Sequence, residues 1–288
     1  MNKIGWTDQT WNPVAGCSKV SPGCLNCYAE RMAKRLKGMG LPQYQDVVDQ
    51  RGWTGRIRLA EYAMDKPLAW HNKRVFVGSM SDLLHESIPL DASFLAEVFG
   101  VMALAQDNIF QVLTKRAYRL YRLLTDDKFA KEVEHYMEAA AGRHGWCCGE
   151  LKWPLPNVWG LVTAENQKYA DERIPDLLRS PFAARGASIE PMLGPVYLGD
   201  YLCKAWSAKH LTLGTYLDQV ILGCETGPGR RHTELDWMLD VAAQTLAAGV
   251  PLYVKQVEIN GKVSHNPAEW PVELRRREFP KEKGESER

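Results

Sequence analysis

Three cysteines near the start of the chain, Cys17, Cys24 and Cys27 in AGCSKVSPGCLNCYAE, stand at C-x6-C-x2-C spacing. The chemistry that such thiolates offer is metal binding, and their number decides which kind. A structural zinc site closes with four ligands. No fourth is at hand: the first histidine is His71, the next cysteine is Cys147, and Asp8 would be an unusual choice. Three thiolates suit a [4Fe–4S] cluster whose remaining iron stays open to a small molecule, and a chelating amino-acid end fits that position. Gly16 and Gly23 permit the tight path around a metal, while Tyr28, Met32 and Leu36 begin a helix that anchors the loop. Seven cysteines is an odd count in a chain of 288 residues, and the first three lie too close for a disulfide framework. A reducing cytoplasm follows as the expected compartment.

Other polar residues gather where apolar runs end. The runs are TWNPVAG (10–16), RVFVGS (74–79), IFQVLT (109–114), NVWGLVT (157–163), GASIE (186–190), QVILGCE (219–225) and PLYVKQV (251–257). They finish at Ser79, Ser81 and Asp82; at Thr114, Lys115 and Arg116; at Thr163, Glu165 and Asn166; at Glu190; at Glu225; and at Lys255 and Gln256. Such strands, alternating with amphipathic helices, predict a parallel sheet covered by helices. About six strand–helix units without a Rossmann glycine fingerprint favour an α/β barrel or partial barrel. In that architecture the working residues sit at the carboxyl ends of the strands, and the cysteine loop follows the first of them.

Two helices are well marked. In DASFLAEVFGVMALA (91–105), Asp91 is placed to cap, and Phe94, Leu95, Val98, Phe99 and Met102 share a face. In TELDWMLDVAAQTLAAG (233–249), Thr233 is the expected cap and Gly249 the stop. Residues 39–73 read as an inserted hairpin or lid and residues 138–156 as a loop, either of which would border a pocket. The expected division is one barrel domain over 1–260 and an extension over 261–288, whose charged tail EKGESER predicts disorder.

Composition is that of an ordinary globular domain, 45% hydrophobic and 25% charged. The opening MNKIGWTDQTWNP has no apolar h-region, and no run approaches the roughly 18 apolar residues of a membrane span. A formal charge of +1 carries no polyanion signal, so a nucleic-acid contact would be a local patch or a single-nucleotide pocket.

The cysteine loop, with VFVGSMSDLLH (75–85), FQVLTKR (110–116), NVWGLVTAENQ (157–167), ASIEPMLGP (187–195) and VILGCETGPGRR (220–231), resembles phage-associated three-cysteine-motif proteins allied to the radical S-adenosylmethionine (SAM) enzymes. The resemblance covers residues 1 to about 260. That superfamily typically spaces its cysteines C-x3-C-x2-C with an aromatic before the last; here the first gap is six residues, Asn26 precedes Cys27, and Tyr28 follows it. The resemblance implies a partial (β/α)6 barrel, with an extra C-terminal strand and inserted loops here. In it a [4Fe–4S] cluster on Cys17, Cys24 and Cys27 chelates SAM and cleaves it to methionine and a 5′-deoxyadenosyl radical. It also implies Ser79, Ser81 and Asp82 near the SAM amino group, and Lys115 or Arg116 on the methionine carboxylate. Thr163, Glu165 and Asn166 would complete the cofactor site, a carboxylate there or at Glu190 meeting the ribose hydroxyls or a substrate amine. Glu190, Glu225 and Lys115 form the expected catalytic set.

Each of these residues has a plainer reading. Ser81 and Asp82 suit a helix cap, a lone carboxylate suits a salt bridge, and two cations opening a helix suit solvent. Glu190, among apolar neighbours, would be costly to bury without a partner. GPGRR (227–231) is an anion cradle or a simple turn. Cys147 and Cys148 could join Cys203 or Cys224 in a second cluster, or be ordinary residues. His85 stays outside the catalytic set, and the ten tryptophans suit packing as well as base stacking.

The association with phage makes a modified nucleobase or nucleotide in phage DNA the expected substrate, with isomerisation of an aminoacylated (glycyl) thymine or deoxyuridine base as the specific reaction. A reductant protein of flavodoxin or ferredoxin type would be the partner, in the cytoplasm of the host cell. Two alternatives stand beside it. One is a DNA-repair lyase like spore photoproduct lyase, with Cys224 as the radical-quenching thiol. The other is a metal-stabilised nucleic-acid-binding module using Arg51, Arg56, Arg58, Lys66, Lys73 and Arg74, a patch diluted by Asp46, Asp49, Glu61 and Asp65.

Overall fold

The computed structural model describes residues 4–91, 93–202 and 215–280. Its strands are β1 (Gln9–Trp11), β2 (Val14–Ala15), β3 (Arg58–Leu59), β4 (Arg74–Val77), β5 (Ile109–Thr114), β6 (Val158–Thr163), β7 (Ala184–Ile189), β8 (Gln219–Gly223), β9 (Leu252–Ile259) and β10 (Lys262–Ser264). Its helices are α1 (Tyr28–Gly38), α2 (Ser93–Leu104), α3 (Ala117–Leu124), α4 (Phe129–Arg143), α5 (Gln167–Arg179), α6 (Gly199–Leu202) and α7 (Leu235–Ala247). Eight strands form one sheet in the order β1-β4-β5-β6-β7-β8-β9-β10, parallel except for β10. Every expected apolar run holds one of the parallel strands. β1 and β10 are the sheet's two edges and do not pair, so the protein is α/β with an open sheet and no closed barrel.

Alternate residues along each strand point to opposite faces. Val75, Val77, Phe110, Val112, Val220 and Leu222 join the main core, which takes in the buried faces of α2, α3, α4, α5 and α7. The residues between them, among them Phe76, Leu113 and Ile221, form a smaller cluster with Trp6, Trp159, Leu161 and Tyr253. Among the described residues, none from a helix enters this second cluster. Its cover comes from Ile4 and Trp6, ahead of β1, and from Phe279, on whose ring the Arg74 guanidinium sits at 3.8 Å.

Several local expectations need correction. TWNPVAG is not one strand: it bends after Trp11, so that Val14 and Ala15 leave the sheet and pair with Leu59 and Arg58. The insertion 39–73 is therefore held by a two-stranded ribbon, and Tyr44, Val47, Val48 and Trp53 pack it against Ala29 and Ala33 of α1. It is no free hairpin; its own pairing is a single bridge, Val48 to Trp53. α2 is buried on nearly every side rather than one, because α4 covers its outer surface. A Cβ at Gly100 would lie 2.7 Å from Met137 N, so the two helices meet backbone to backbone. The cap expected at Asp91 turns on residue 92, which lies outside the described residues. Glu234, not Thr233, precedes α7, and the Thr233 hydroxyl instead donates to Met192 O at 2.9 Å. Gly249, at φ +67°, follows the end of α7 in the left-handed conformation that terminates helices. The expected loop 138–156 is helical as far as Arg143, the end of α4. Cys203 and the tail EKGESER lie outside the described residues. Residues 262–264 pair with β9, and Arg277 bridges to Tyr253, so residues beyond 260 are joined to the sheet. Among the described residues no helix is long and apolar enough to cross a membrane.

Candidate functional site

The cysteine loop crosses the carboxyl ends of the parallel strands. It starts at Gly16, whose φ is +99° and where an added Cβ would lie 2.3 Å from Arg56 O, so no side chain fits. It ends at Cys27, the residue before α1. Cys17, Cys24 and Cys27 are half-buried free thiols that line one cavity of about 130 Å³. Burial, then the nearby Asp82 carboxylate, pushes the Cys17 thiol up to about 12.

Buried groups from distant strands brace this loop. Gly23 N donates to Glu165 Oε1 at 3.1 Å, and Glu165, with no exposed surface, is itself held by Arg173 Nη1 at 3.0 Å. Asn26 Nδ2 donates to Glu225 Oε2 at 2.8 Å, and Arg231 grips both oxygens of Glu225 while donating to Pro22 O at 2.9 Å. Tyr28 Oη donates to Ser79 O at 2.6 Å, fixing the start of α1 over β4. At the other end Ser18 Oγ accepts from Arg116 Nη2 at 2.8 Å and meets His85 Nε2 at 2.9 Å. Burial works to raise both carboxyls. For Glu165 this is outweighed by Lys115, Ser21 and Arg173, and for Glu225 by Arg231 and Asn26, so both stay below the usual carboxylate range.

The remaining expected residues are placed as follows. Ser79 Oγ donates to Asn12 Oδ1 at 3.1 Å, and Ser81 Oγ is buried without a partner among the described residues; both residues line the cysteine cavity. Asp82 is fully engaged, Oδ1 by Thr114 Oγ1 at 2.7 Å and Oδ2 by Arg116 Nη1 at 2.9 Å. This makes Asp82 a brace between the ends of β4 and β5. Arg116 is likewise spent on Asp82, Glu86 and Ser18, and the contact with it draws Glu86 down to about 2. Asn166 caps α5, accepting from Tyr169 N at 3.3 Å. Thr163 and Lys115 line both the cysteine cavity and a neighbouring inner chamber of about 150 Å³. Glu190 and Glu225 line only the inner chamber, where Glu190 Oε1 accepts from Lys255 Nζ at 2.5 Å and Gln256 Nε2 at 3.1 Å.

Strand-end logic found the carboxylates but not their partners. Ser18, Asn26 and Trp6 carried no signal beyond position, and GPGRR proves to cradle an anion of the protein's own, Glu225. Cys147 and Cys148 line a third cavity with His71 and Asp107, which precede β4 and β5, whereas Cys224 follows β8 and lines the inner chamber. They sit at opposite ends of the sheet, so the cluster that would join Cys147 and Cys148 to Cys224 is not formed. The basic patch of Arg51, Arg56, Arg58, Lys66, Lys73 and Arg74 is partly neutralised: Arg58 pairs with Asp46 at 2.7 Å and Arg74 with Asp8 at 3.3 Å.

No group of three or more His, Cys, Asp and Glu among the described residues is placed to hold a single metal ion. Cys17, Cys24 and Cys27 line one cavity, and in a cubane cluster each thiolate binds a different iron. His85 is not a spare ligand: Nδ1 accepts from Ser87 N at 3.2 Å while Nε2 meets Ser18. The donor set thus fits a three-thiolate cluster. A family model described as a protein of unknown function (DUF5131) matches residues 1–281. No curated protein and no solved structure matches the chain.

Proposed function

The chain belongs to the DUF5131 family, and we propose that it is a radical SAM enzyme acting on a modified nucleobase or nucleotide in phage DNA hypermodification. One observation carries this reading: three thiols of one braced loop ring a cavity at the carboxyl ends of parallel strands, with an inner chamber beside it. We read the open sheet as the partial barrel of that superfamily, extended by further strands. Cys17, Cys24 and Cys27 would hold a [4Fe–4S] cluster, which with SAM bound supplies reductive cleavage of the sulfonium and hydrogen-atom abstraction.

The chain's own residues do the positioning. Glu165, Glu225 and Arg231 hold the loop; Ser79, Ser81 and Thr163 offer hydroxyls to the cofactor; Lys115 and Glu190 meet charged groups in the inner chamber. Asp82 and Arg116 act through the strand ends they brace, and Asn166 through the start of α5. The specific substrate proposed is an aminoacylated (glycyl) thymine or deoxyuridine base, which the enzyme isomerises. Its support is the resemblance to phage-associated proteins. A flavodoxin- or ferredoxin-type protein of the host cytoplasm would deliver the electron.

The lyase reading keeps one observation in its favour: Cys224 is buried, burial and nearby carboxylates keep it a neutral thiol, and it lines the inner chamber. Anaerobic reconstitution tests the main proposal. The expected result is about four irons with sulfide, and release of 5′-deoxyadenosine and methionine from SAM on reduction. Stoichiometric zinc without iron-dependent absorbance would overturn it.

A further inference from the structure

The inner chamber shares Phe76 and Leu113 with the cysteine cavity and adds Trp6 and Ser188. Trp6 and Phe76 line it, their rings 4.8 Å apart, and Leu113 adds a third apolar surface. Its volume of about 150 Å³ equals that of an apolar cavity known to admit a single benzene ring. A six-membered ring therefore fits. The chamber is not purely apolar, however. The hydroxyls of Thr163 and Ser188 line it without a hydrogen bond among the described residues, and they suit the polar atoms of a heterocycle.

Lys115 adds a charge. Three cations line the two cavities: Lys115, Arg116 and Lys255. Arg116 pairs with Asp82 and Glu86, and Lys255 with Glu190. Lys115 Nζ makes no salt bridge or hydrogen bond among the described residues; the carboxylate that feels its charge, Glu165, is already bound by Arg173 and Gly23 N. Lys115 belongs to the wall of both cavities, with its ammonium free to make a direct, charge-assisted hydrogen bond to an incoming anion.

We propose that the inner chamber binds a six-membered heterocycle bearing a carboxylate, the ring lying against Trp6 and Phe76 and the carboxylate on Lys115. This deepens the function proposed above, since it rests on that reading for the idea that the ring belongs to the substrate. Binding itself requires no cluster. Trp6, from the segment ahead of β1, becomes a residue that selects the ring.

The test uses the full chain without iron and follows orotate, uracil, benzoate and SAM by ligand-observed NMR and calorimetry. Orotate should bind more tightly than uracil or benzoate. Lys115→Met should weaken orotate about tenfold or more, the loss expected for a charged hydrogen bond, and leave uracil unchanged, while Lys115→Arg restores part of the affinity. Trp6→Phe and Phe76→Leu, two independent changes to the ring site, should each weaken orotate and uracil alike. Benzoate binding as tightly as orotate, no orotate binding at millimolar concentration, or a Lys115→Met loss confined to SAM would each overturn the proposal. Iron incorporation is scored separately, so a chain that binds orotate but never takes up a cluster refutes the radical reading and not this one.

Discussion

Two cysteine-bearing regions of this molecule look alike in sequence and differ in everything around them. Cys17, Cys24 and Cys27 lie on a loop tied to the ends of β6 and β8 through Gly23 N on Glu165 and the Asn26 side chain on Glu225. Cys147 and Cys148 follow α4 at the other end of the sheet, Cys147 exposed, next to a helix end where Arg143 and His144 share the half-exposed Asp65. One set is held by buried, charge-assisted hydrogen bonds, and the other by ion pairs that water screens. What marks a site is the bracing of its ligands; closeness of the thiols in sequence is common to both.

The largest expected effect separates the two sets outright. Alanine at any one of Cys17, Cys24 and Cys27 should abolish iron incorporation, while alanine at Cys147 or Cys148 should leave iron and sulfide per chain unchanged. Equal loss from the second pair would erase the distinction.

Removing a brace comes next. Glu165→Ala strands the buried Arg173 guanidinium, which has 2% of its surface exposed, and should cost about 3–5 kcal/mol in urea unfolding. Glu225→Ala leaves Arg231, which is a third exposed and can turn to water, so its cost should be smaller, about 1–3 kcal/mol. The reverse ranking would show that the β8 tie, not the β6 tie, fixes the loop.

Acid should weaken the braced end selectively. The carboxyls of Glu165, Glu225 and Glu86 are held below the ordinary value, Glu86 at about 2. A depressed folded value stabilises above the unfolded one and is lost as pH falls through the folded one. The urea midpoint should therefore drop as pH falls from roughly 4.3 toward 2, less steeply in Glu165→Gln than in the wild type. Parallel curves would remove Glu165 from the account. The smallest effect belongs to the other region: Cys147→Ser should shift stability by no more than about 0.5 kcal/mol, as surface changes do.

The positions of the strands were legible because each buried strand is a continuous apolar run, and the carboxyl ends could be read from the polar residue that stops it. That Cys17, Cys24 and Cys27 belong together was legible for the same local reason, and all three line one cavity. The braces were not. Asn26 reaching Glu225, or Gly23 reaching Glu165, joins residues whose proximity exists only once the sheet has formed, and nothing in either residue type announces the partner. Thr233 misled because its hydroxyl satisfies Met192 O in the tertiary structure instead of the helix it precedes. Trp6 was hidden by being one of ten tryptophans, distinguished only by packing in the smaller cluster with Phe76, Trp159 and Tyr253.

The ties between the cysteine loop and its posts also impose a timetable. Gly23 meets a residue 142 positions downstream and Asn26 one 199 positions downstream. A ribosome therefore releases all three thiols long before it makes Glu225 or Arg231. During that interval the thiols are nascent-chain cysteines with nothing to fix their spacing, open to oxidation and to any soft metal ion they meet. The cavity the thiols line is complete only after β8 has joined the sheet, and slow synthesis between residues 27 and 231 would lengthen the time in which the wrong chemistry can reach them.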